Sequence, residues 1–229
     1  MLKMRARWAG LAAATTAGAL FLAPTASAAD TFPAFALPFA SGQLVYSAGI
    51  HSDDGGSGVK NAIDFSPADK TVRAPLAGIV HLQHCAEGDW VTIDHDGGWR
   101  TGYYHMENIQ VADGQRVVPG AVLGSTGNAL PCGGSTTGAH VHFTLWTLPA
   151  TTASGNSGDA RDWRARGNWS GLSYAEVSGE LAAALGEPID GKELGGWRFA
   201  AGAGQYQGTA THLSDQSVAR LPGRFRVTA

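Results

Sequence analysis

Residues 90–106 read WVTIDHDGGWRTGYYHM, and this stretch carries the pattern that decides the fold. Residues 90–94 and 100–106 are rich in β-branched and aromatic side chains, which favour strands. Between them, Asp96-Gly97-Gly98 is a typical hairpin turn. The stretch therefore predicts two antiparallel strands joined by a tight turn.

The same strand pattern extends outward along the chain. Residues 77–84 and 140–146 resemble the two strands of the hairpin in composition, and glycine-containing turns interrupt the segments between them. One capping box, Ser173-Tyr-Ala-Glu176, precedes the apolar residues 181–185 and predicts a short helix. We predict a mainly β, antiparallel fold with one short helix near the C-terminus and a long loop at 149–171.

The first 28 residues have the organisation of a secretory signal peptide. Basic residues precede an apolar stretch at 8–23, and Ala26-Ser27-Ala28 supplies small residues at a cleavage site. The alternative is a membrane anchor, but the apolar run is short and ends in Pro24 rather than in cations. No later segment has the roughly 18 to 20 apolar residues of a span. We expect a secreted, extracellular chain that is not membrane-bound after cleavage.

The charge balance argues against two classes of partner. The chain has 16 Lys and Arg against 19 Asp and Glu, a formal charge of −3. Without residues 1–28, 13 basic residues face 19 acidic ones and the charge is −6. This charge argues against binding by general electrostatic attraction to nucleic acid or to anionic lipid. We expect a monomer that recognises its partner in a groove.

Cys85 and Cys132 are the two cysteines of the chain. An even pair in an exported protein predicts one disulfide. The alternative is a thiolate that binds metal or acts as a nucleophile, and a paired cysteine can do neither.

The histidines form the clearest chemical signal. His140-Val141-His142 begins an apolar strand, and residues i and i+2 of a strand project from one face. His51 and His105 follow other strand-like segments, and Asp64 lies in the apolar Ala62-Ile63-Asp64-Phe65. A buried carboxylate requires a cation or donors, whereas an edge-strand aspartate would simply face solvent. A His, His and Asp set with an open fourth position is typical of catalytic zinc, which acidifies bound water.

These residues resemble the zinc endopeptidases of the M23 family, which cut bacterial cell-wall peptides. The similarity lies in His51-x12-Asp64, Tyr104-His105 and His140-x-His142, with core-like segments at 72–80 and 113–127. Most members of the family have His-x3-Asp, and this chain has Lys60 where that histidine would fall. The wider spacing, the cysteine pair and the tail resemble the staphylolysin and beta-lytic endopeptidase branch.

The resemblance implies a barrel-like β core with glycine-rich groove loops and a role for each matching residue. It places the zinc ligands on His51, Asp64 and His142 and the two catalytic histidines on His105 and His140. Which of those two is the general base stays open. Tyr104 is expected to bind substrate in the cleft, and the alternative is a packed strand aromatic.

The expected function is that of a secreted zinc endopeptidase acting on peptide bonds, glycine-containing by expectation, in peptidoglycan. The alternative is a non-catalytic wall-binding or regulatory module on the same fold. A biotinyl or lipoyl carrier is excluded because no lysine lies between the two half-motifs at 72–80 and 113–127. We expect a signal peptide at 1–28 and one peptidase domain at 29–229, with its catalytic core at 43–148 and a C-terminal extension at 172–229.

The remaining histidines are expected to have no role at the site. His81 and His84 lie on opposite faces of one predicted strand and therefore do not form a pair. His95 lies at the predicted hairpin turn and is expected to be solvated. His212 has no neighbours of ligand type in the sequence.

Overall fold

The computed structural model describes residues 32–52, 58–148, 167–184 and 186–228. Within these ranges the chain forms fifteen short strands and one α-helix. In chain order they are β1 (Leu44–His51), β2 (Ala62–Pro67), β3 (Thr71–Arg73), β4 (Gly78–Cys85), β5 (Gly88–His95), β6 (Trp99–Tyr104), β7 (Met106–Glu107), β8 (Arg116–Val117), β9 (Val122–Thr126), β10 (Val141–Thr147), α1 (Tyr174–Ala183), β11 (Glu193–Leu194), β12 (Trp197–Ala201), β13 (Gly208–His212), β14 (Val218–Leu221) and β15 (Gly223–Arg226).

The largest sheet has eight strands in the order β15-β1-β2-β10-β6-β5-β4-β8. Every pairing in it is antiparallel. The prediction of a mainly β, antiparallel fold with one helix is therefore confirmed. The sheet remains open, with β15 and β8 at its two edges, so the barrel-like core expected from the resemblance does not close into a barrel.

The predicted hairpin is present as β5 and β6, which are joined by a turn at residues 96–98. The second strand ends at Tyr104 rather than at Met106, because the next residue leaves the strand conformation. His105 has a φ of 63°, in the left-handed region that non-glycine residues rarely adopt. This break separates β6 from β7 and turns the His105 side chain away from the alternation of β6.

Two smaller sheets complete the fold, with the orders β3-β9-β7 and β11-β12-β13-β14. Buried aromatic rings join the C-terminal strands to the large sheet. Phe65 of β2 lies 6.2 Å from Phe199 and 6.3 Å from both Phe143 and Phe225, measured between ring centroids. These rings are almost completely excluded from solvent, so their burial stabilises the attachment of the C-terminal segment.

The helix begins with the predicted capping box. The Ser173 hydroxyl accepts a hydrogen bond from the backbone amide of Glu176, and the Glu176 carboxylate accepts one from the Ser173 amide. The predicted helical residues 181–185 are helical as far as Ala183. Of the predicted loop at 149–171, residues 149–166 lie outside the described ranges.

The helix packs on a second hydrophobic cluster that contains the disulfide. Cys85 and Cys132 are bonded, with their Cα atoms 5.0 Å apart, as the sequence predicted. Trp90, Trp169 and Val177 are buried in the same cluster. The bond thus ties the end of β4 to the loop that follows β9, and this loop borders the candidate site.

The N-terminal prediction falls outside the described residues, which begin at Phe32. Among the residues that the structure does describe, no helix has the length and apolar character needed to cross a bilayer.

Candidate metal centre

Three neighbouring strands of the large sheet align the predicted ligands. Asp64 of β2 pairs with His142 of β10 in the strand register. His51, at the end of β1, pairs with Ala62, which lies two residues before Asp64 and therefore on the same face of β2. Although Asp64 lies 78 residues from His142 in the chain, the sheet places their side chains together.

The three side chains meet at the Asp64 carboxylate. Its Oδ1 lies 3.0 Å from Nε2 of His51 and 3.1 Å from Nδ1 of His142. One potential ligand atom from each residue lies within 4.8 Å of the other two. All three residues are at least 91 % buried, with exposures of 5 %, 7 % and 9 %. Over the described ranges, this is the one group of three or more His, Cys, Asp or Glu residues that could hold a metal ion.

The hydrogen bonds of His51 test whether these residues suit a cation. Its Nδ1 lies 3.1 Å from the carbonyl oxygen of Ser52, which can only accept, so Nδ1 carries the proton. Its other nitrogen, Nε2, faces the carboxylate of Asp64 at 3.0 Å. Two electron-rich atoms are stable at this distance only if a proton or a metal ion lies between them. The nitrogen, oxygen and nitrogen donors fit zinc.

The protonation state of Asp64 agrees with this arrangement. Burial alone would raise the pKa of Asp64, but the hydrogen bonds and charges of His142 and His51 outweigh it and hold the pKa well below its ordinary value. Asp64 is therefore a carboxylate, the form that binds metal.

The two predicted catalytic histidines lie beside this group. Nε2 of His140 is 3.6 Å from Oδ2 of Asp64, and the rings of His140 and His105 are 4.5 Å apart. Each ring donates from Nδ1 to a backbone carbonyl, His140 to Gly138 at 2.7 Å and His105 to Ala129 at 2.9 Å. These bonds leave Nε2 of each neutral imidazole as a lone pair that can accept a proton or a hydrogen bond.

His105 is held in its neutral form. Burial lowers the pKa of His105 to about 4, and the neighbouring charges of His142 and His140 act in the same direction. At neutral pH the uncharged imidazole of His105 can therefore accept a hydrogen bond.

Tyr104 packs as a strand aromatic and also lines the site cavity. Its hydroxyl donates to the carbonyl of Gly133 at 2.9 Å and accepts from the amide of Cys132 at 2.8 Å. Its ring packs against Trp90 and His105. Tyr104 thus lines the site cavity and also holds the glycine loop that borders it.

The five histidine and aspartate side chains line a cavity of about 530 Å³. One wall consists of Gly133 and Gly134, whose φ angles are 96° and 95°. A Cβ on either glycine would lie 3.1 Å from the Tyr174 side chain. Tyr174 at the start of α1 and Tyr206 from the C-terminal segment also line the cavity. Sequence reasoning missed both, because no local pattern connects them to the ligands.

The four other histidines lie away from this cavity. His95 was predicted to be solvated, and this is wrong, since it is 5 % exposed. It bonds to the Ala77 carbonyl at 2.9 Å and to Thr101 Oγ1 at 2.8 Å, partners that a local turn pattern cannot indicate. The remaining three pair with carboxylates: His81 with Asp94, His84 with Asp89 and His212 with Asp215.

A family model provides the first comparison with known proteins. Residues 58–157 match the model of peptidase family M23. Asp64, His105, His140 and His142 lie inside this range, whereas His51 precedes it.

Two curated relatives are similar over about half of the chain. Protease LasA of Pseudomonas aeruginosa is 37 % identical over 121 residues, covering 48 % of this chain and 28 % of LasA. The beta-lytic metalloendopeptidase of Lysobacter enzymogenes is 32 % identical over 119 residues, covering 47 % of this chain and 66 % of that protein. The chain therefore spans just over a quarter of the first relative and almost two thirds of the second.

One solved structure shares the fold over most of the chain. Pseudoalterin, described as a novel M23 metalloprotease from the deep sea, aligns with a TM-score of 0.62 at 20 % identity. The alignment covers 86 % of this chain and 99 % of pseudoalterin. At this identity the likeness shows a common fold.

Proposed function

We propose that the chain is a zinc-dependent endopeptidase that hydrolyses glycine-containing peptide bonds in bacterial peptidoglycan. The match of residues 58–157 to the model of peptidase family M23 supports this proposal. The observation that carries the proposal is the convergence of His51, Asp64 and His142 on one point. His105 and His140 stand beside them in the same cavity.

The proposed zinc ligands are Nε2 of His51, the Asp64 carboxylate and Nδ1 of His142. When bound, zinc would supply a Lewis acid that makes water nucleophilic near neutral pH. Zinc would also take the place of a proton between Nε2 of His51 and the Asp64 carboxylate, which lie 3.0 Å apart.

The two catalytic histidines would interact with the protons of the attacking water. Nε2 of His140 lies on the open side of Asp64, so it can accept a proton from the attacking water. His105 is buried and anchored to the Ala129 carbonyl, so its imidazole has a fixed direction. We assign His105 to accepting a hydrogen bond from the attacking water, because its Nε2 carries a lone pair.

The shape of the cavity supports a substrate with small side chains. Gly133 and Gly134 border it without Cβ atoms, and Tyr174 packs directly against them. An extended peptide can approach these backbones closely only where its own side chains are small. This favours glycine at the scissile bond and suits the cell-wall peptides expected from the family resemblance.

We also propose that the protein is secreted and acts outside the cell as a monomer. The signal-like residues 1–28 support export. The disulfide between Cys85 and Cys132 also supports it, since such bonds persist in oxidising compartments.

A paired measurement of metal content and hydrolysis tests the proposal. We expect purified protein to hold one zinc ion and to cleave oligoglycine peptides or cell walls. His105→Ala should keep the zinc and lose hydrolysis, whereas Asp64→Ala should lose both. Zinc binding and wall binding without any hydrolysis would instead support a non-catalytic wall-binding module.

A further inference from the structure

The loop at residues 202–207, between β12 and β13, packs against the end of β1 where His51 lies. The residues on either side of His51 both bond to this loop. Ile50 accepts from the Tyr206 amide at 2.9 Å. The Ser52 amide donates to Oε1 of Gln205 at 2.9 Å, and Nε2 of Gln205 donates to the Ser52 hydroxyl at 3.2 Å. The C-terminal segment thus holds the backbone of a proposed metal ligand on both sides.

The loop also contacts the imidazole of His51 directly. The ring of Tyr206 stacks on it, with the centroids 4.3 Å apart and the planes at 25°. Tyr206 is 48 % exposed whereas His51 is 5 % exposed, so the tyrosine lies on the solvent side and covers the ligand. Stacking on one face limits rotation of the imidazole and favours one ring orientation.

Two residues at this contact, Tyr206 and Gly49, have positive φ angles. Tyr206 has a φ of 57°, a left-handed conformation that costs a non-glycine residue free energy. Across from it, Gly49 has a φ of 115°, and a Cβ there would lie 2.4 Å from the carbonyl carbon of Tyr206. The close approach of the loop to β1 therefore requires glycine at position 49.

Lys60, which lies four residues before Asp64, binds the same loop through its side chain. Its Nζ donates to the carbonyls of Gly202, Ala203 and Gly204, the last two at 3.1 and 2.8 Å. An ammonium group has three donors, so these three carbonyls satisfy all of them. Lys60 lies four residues before Asp64 and just before β2, so the loop is tied to the segments that carry two of the ligands.

We propose that Tyr206 is a positioning residue for the metal ligand His51 and that Lys60 secures the loop that carries it. The inference rests on the proposed zinc site and assigns a task to a segment outside the family match at 58–157. Groups that orient a metal ligand change metal affinity by about 10- to 100-fold when they are removed. Loss of the stack should therefore be measurable as faster release of zinc.

The test is the rate of zinc release from the folded, zinc-loaded protein to an excess of a chelating dye. Tyr206→Ala should release zinc about tenfold faster than the wild type, the lower end of that range. Tyr206→Phe should behave as the wild type, because it keeps the ring. Tyr46→Ala is the matched control, since Tyr46 is also partly exposed, on β1, and packs on Arg224 instead of the site.

A second pair of variants tests the fastening of the loop. Lys60→Met keeps the apolar stem and removes the donors, so zinc release should again accelerate. Lys70→Met, at an exposed lysine, should leave the rate unchanged. Circular dichroism of each variant verifies folding.

Equal release rates for wild type, Tyr206→Ala and Lys60→Met would overturn the positioning role while leaving the zinc site intact. A wild-type protein that binds no zinc would instead refute the proposed function itself. The two failures are therefore distinguishable.

Discussion

Asp64 and His142 face each other across β2 and β10, with Oδ1 of the carboxylate 3.1 Å from Nδ1 of the imidazole. Because the pair lies in the middle of a regular ladder, the backbone fixes its separation. His51 then enters from the other side of β2, 3.0 Å from the same carboxylate oxygen. The candidate metal centre is therefore built on three adjacent strands of the sheet.

The ligand assignment predicts which variants lose zinc. Asp64→Asn removes the charge while keeping the size, so zinc content should fall from about one ion per chain to below a tenth of that. His81→Asn, a histidine outside the site, is the control and should keep its zinc. Metal analysis after gel filtration provides the measurement, and full zinc occupancy in Asp64→Asn would rule out the carboxylate as a ligand.

Variants of His105 and His140, the two histidines beside the ligands, should differ from the ligand variants in zinc content. His140→Ala and His105→Ala should both retain zinc, because Asp64, His51 and His142 are untouched. Each should lower kcat by about 10²- to 10⁴-fold, the usual contribution of general acid–base catalysis. Peptide hydrolysis measured at saturating substrate checks this, and unchanged kcat in both variants would contradict the assignment.

An ion pair between the partly buried Asp94 and the buried Arg100, away from the site, predicts the acid sensitivity of the fold. Asp94 accepts hydrogen bonds from Nε and Nη2 of the fully buried Arg100 and also lies 3.4 Å from Nε2 of His81. Burial acts to raise the pKa of Asp94, but the hydrogen bonds and charges of His81 and Arg100 lower it to about 2.

Since the pKa is depressed by folding, this stabilisation is fully present above about pH 4 and is lost as the pH falls through 2. Asp94→Asn should lower the free energy of unfolding by about 2 kcal/mol at pH 7, and the difference from wild type should shrink between pH 4 and 2. Urea unfolding at several pH values tests this. Asp89→Asn, on the exposed His84 pair, should change stability by less than about 1 kcal/mol, and equal effects of the two variants would contradict the prediction.

Removal of the disulfide should lower the free energy of unfolding and leave the zinc content unchanged. Cys85 and Cys132 are separated by 47 residues, and closing such a loop is worth about 4 kcal/mol in the chain-entropy model. The double variant Cys85→Ala, Cys132→Ala should therefore unfold at a lower urea concentration. The double variant should keep its zinc, since neither cysteine belongs to the proposed ligand set. Loss of zinc from the folded double variant would contradict the prediction that the disulfide affects stability alone.

The strands were predictable because they depend on short-range alternation of residue types. Hydrophobic residues around the hairpin at 96–98 indicated β5 and β6, and His140-x-His142 placed two imidazoles on one face. The family resemblance then assigned His51 and Asp64 to one ligand set, and the structure places them in contact across two strands. The identification of peptidase family M23 from these spacings was confirmed.

The features that sequence reasoning missed depend on contacts between distant segments. Gln205 and Ser52 are 153 residues apart, and no periodicity links Tyr206 to His51. His95 was assigned to solvent from its turn, whereas Phe35 from the N-terminal segment covers its ring. The strand predicted at 100–106 ends at Tyr104 in the structure. The reason is that His105 adopts a left-handed conformation, which its residue type does not indicate.

Mass spectrometry of the fragments released from cell walls tests the central claim most directly. Walls with glycine cross-bridges are incubated with zinc-loaded wild type and, in parallel, with His105→Ala, which should retain its metal. We predict that the wild type releases fragments ending in glycine at the cut bridge and that His105→Ala releases none. Walls left intact by a fully zinc-loaded wild type, or fragments equally abundant with His105→Ala, would contradict the account.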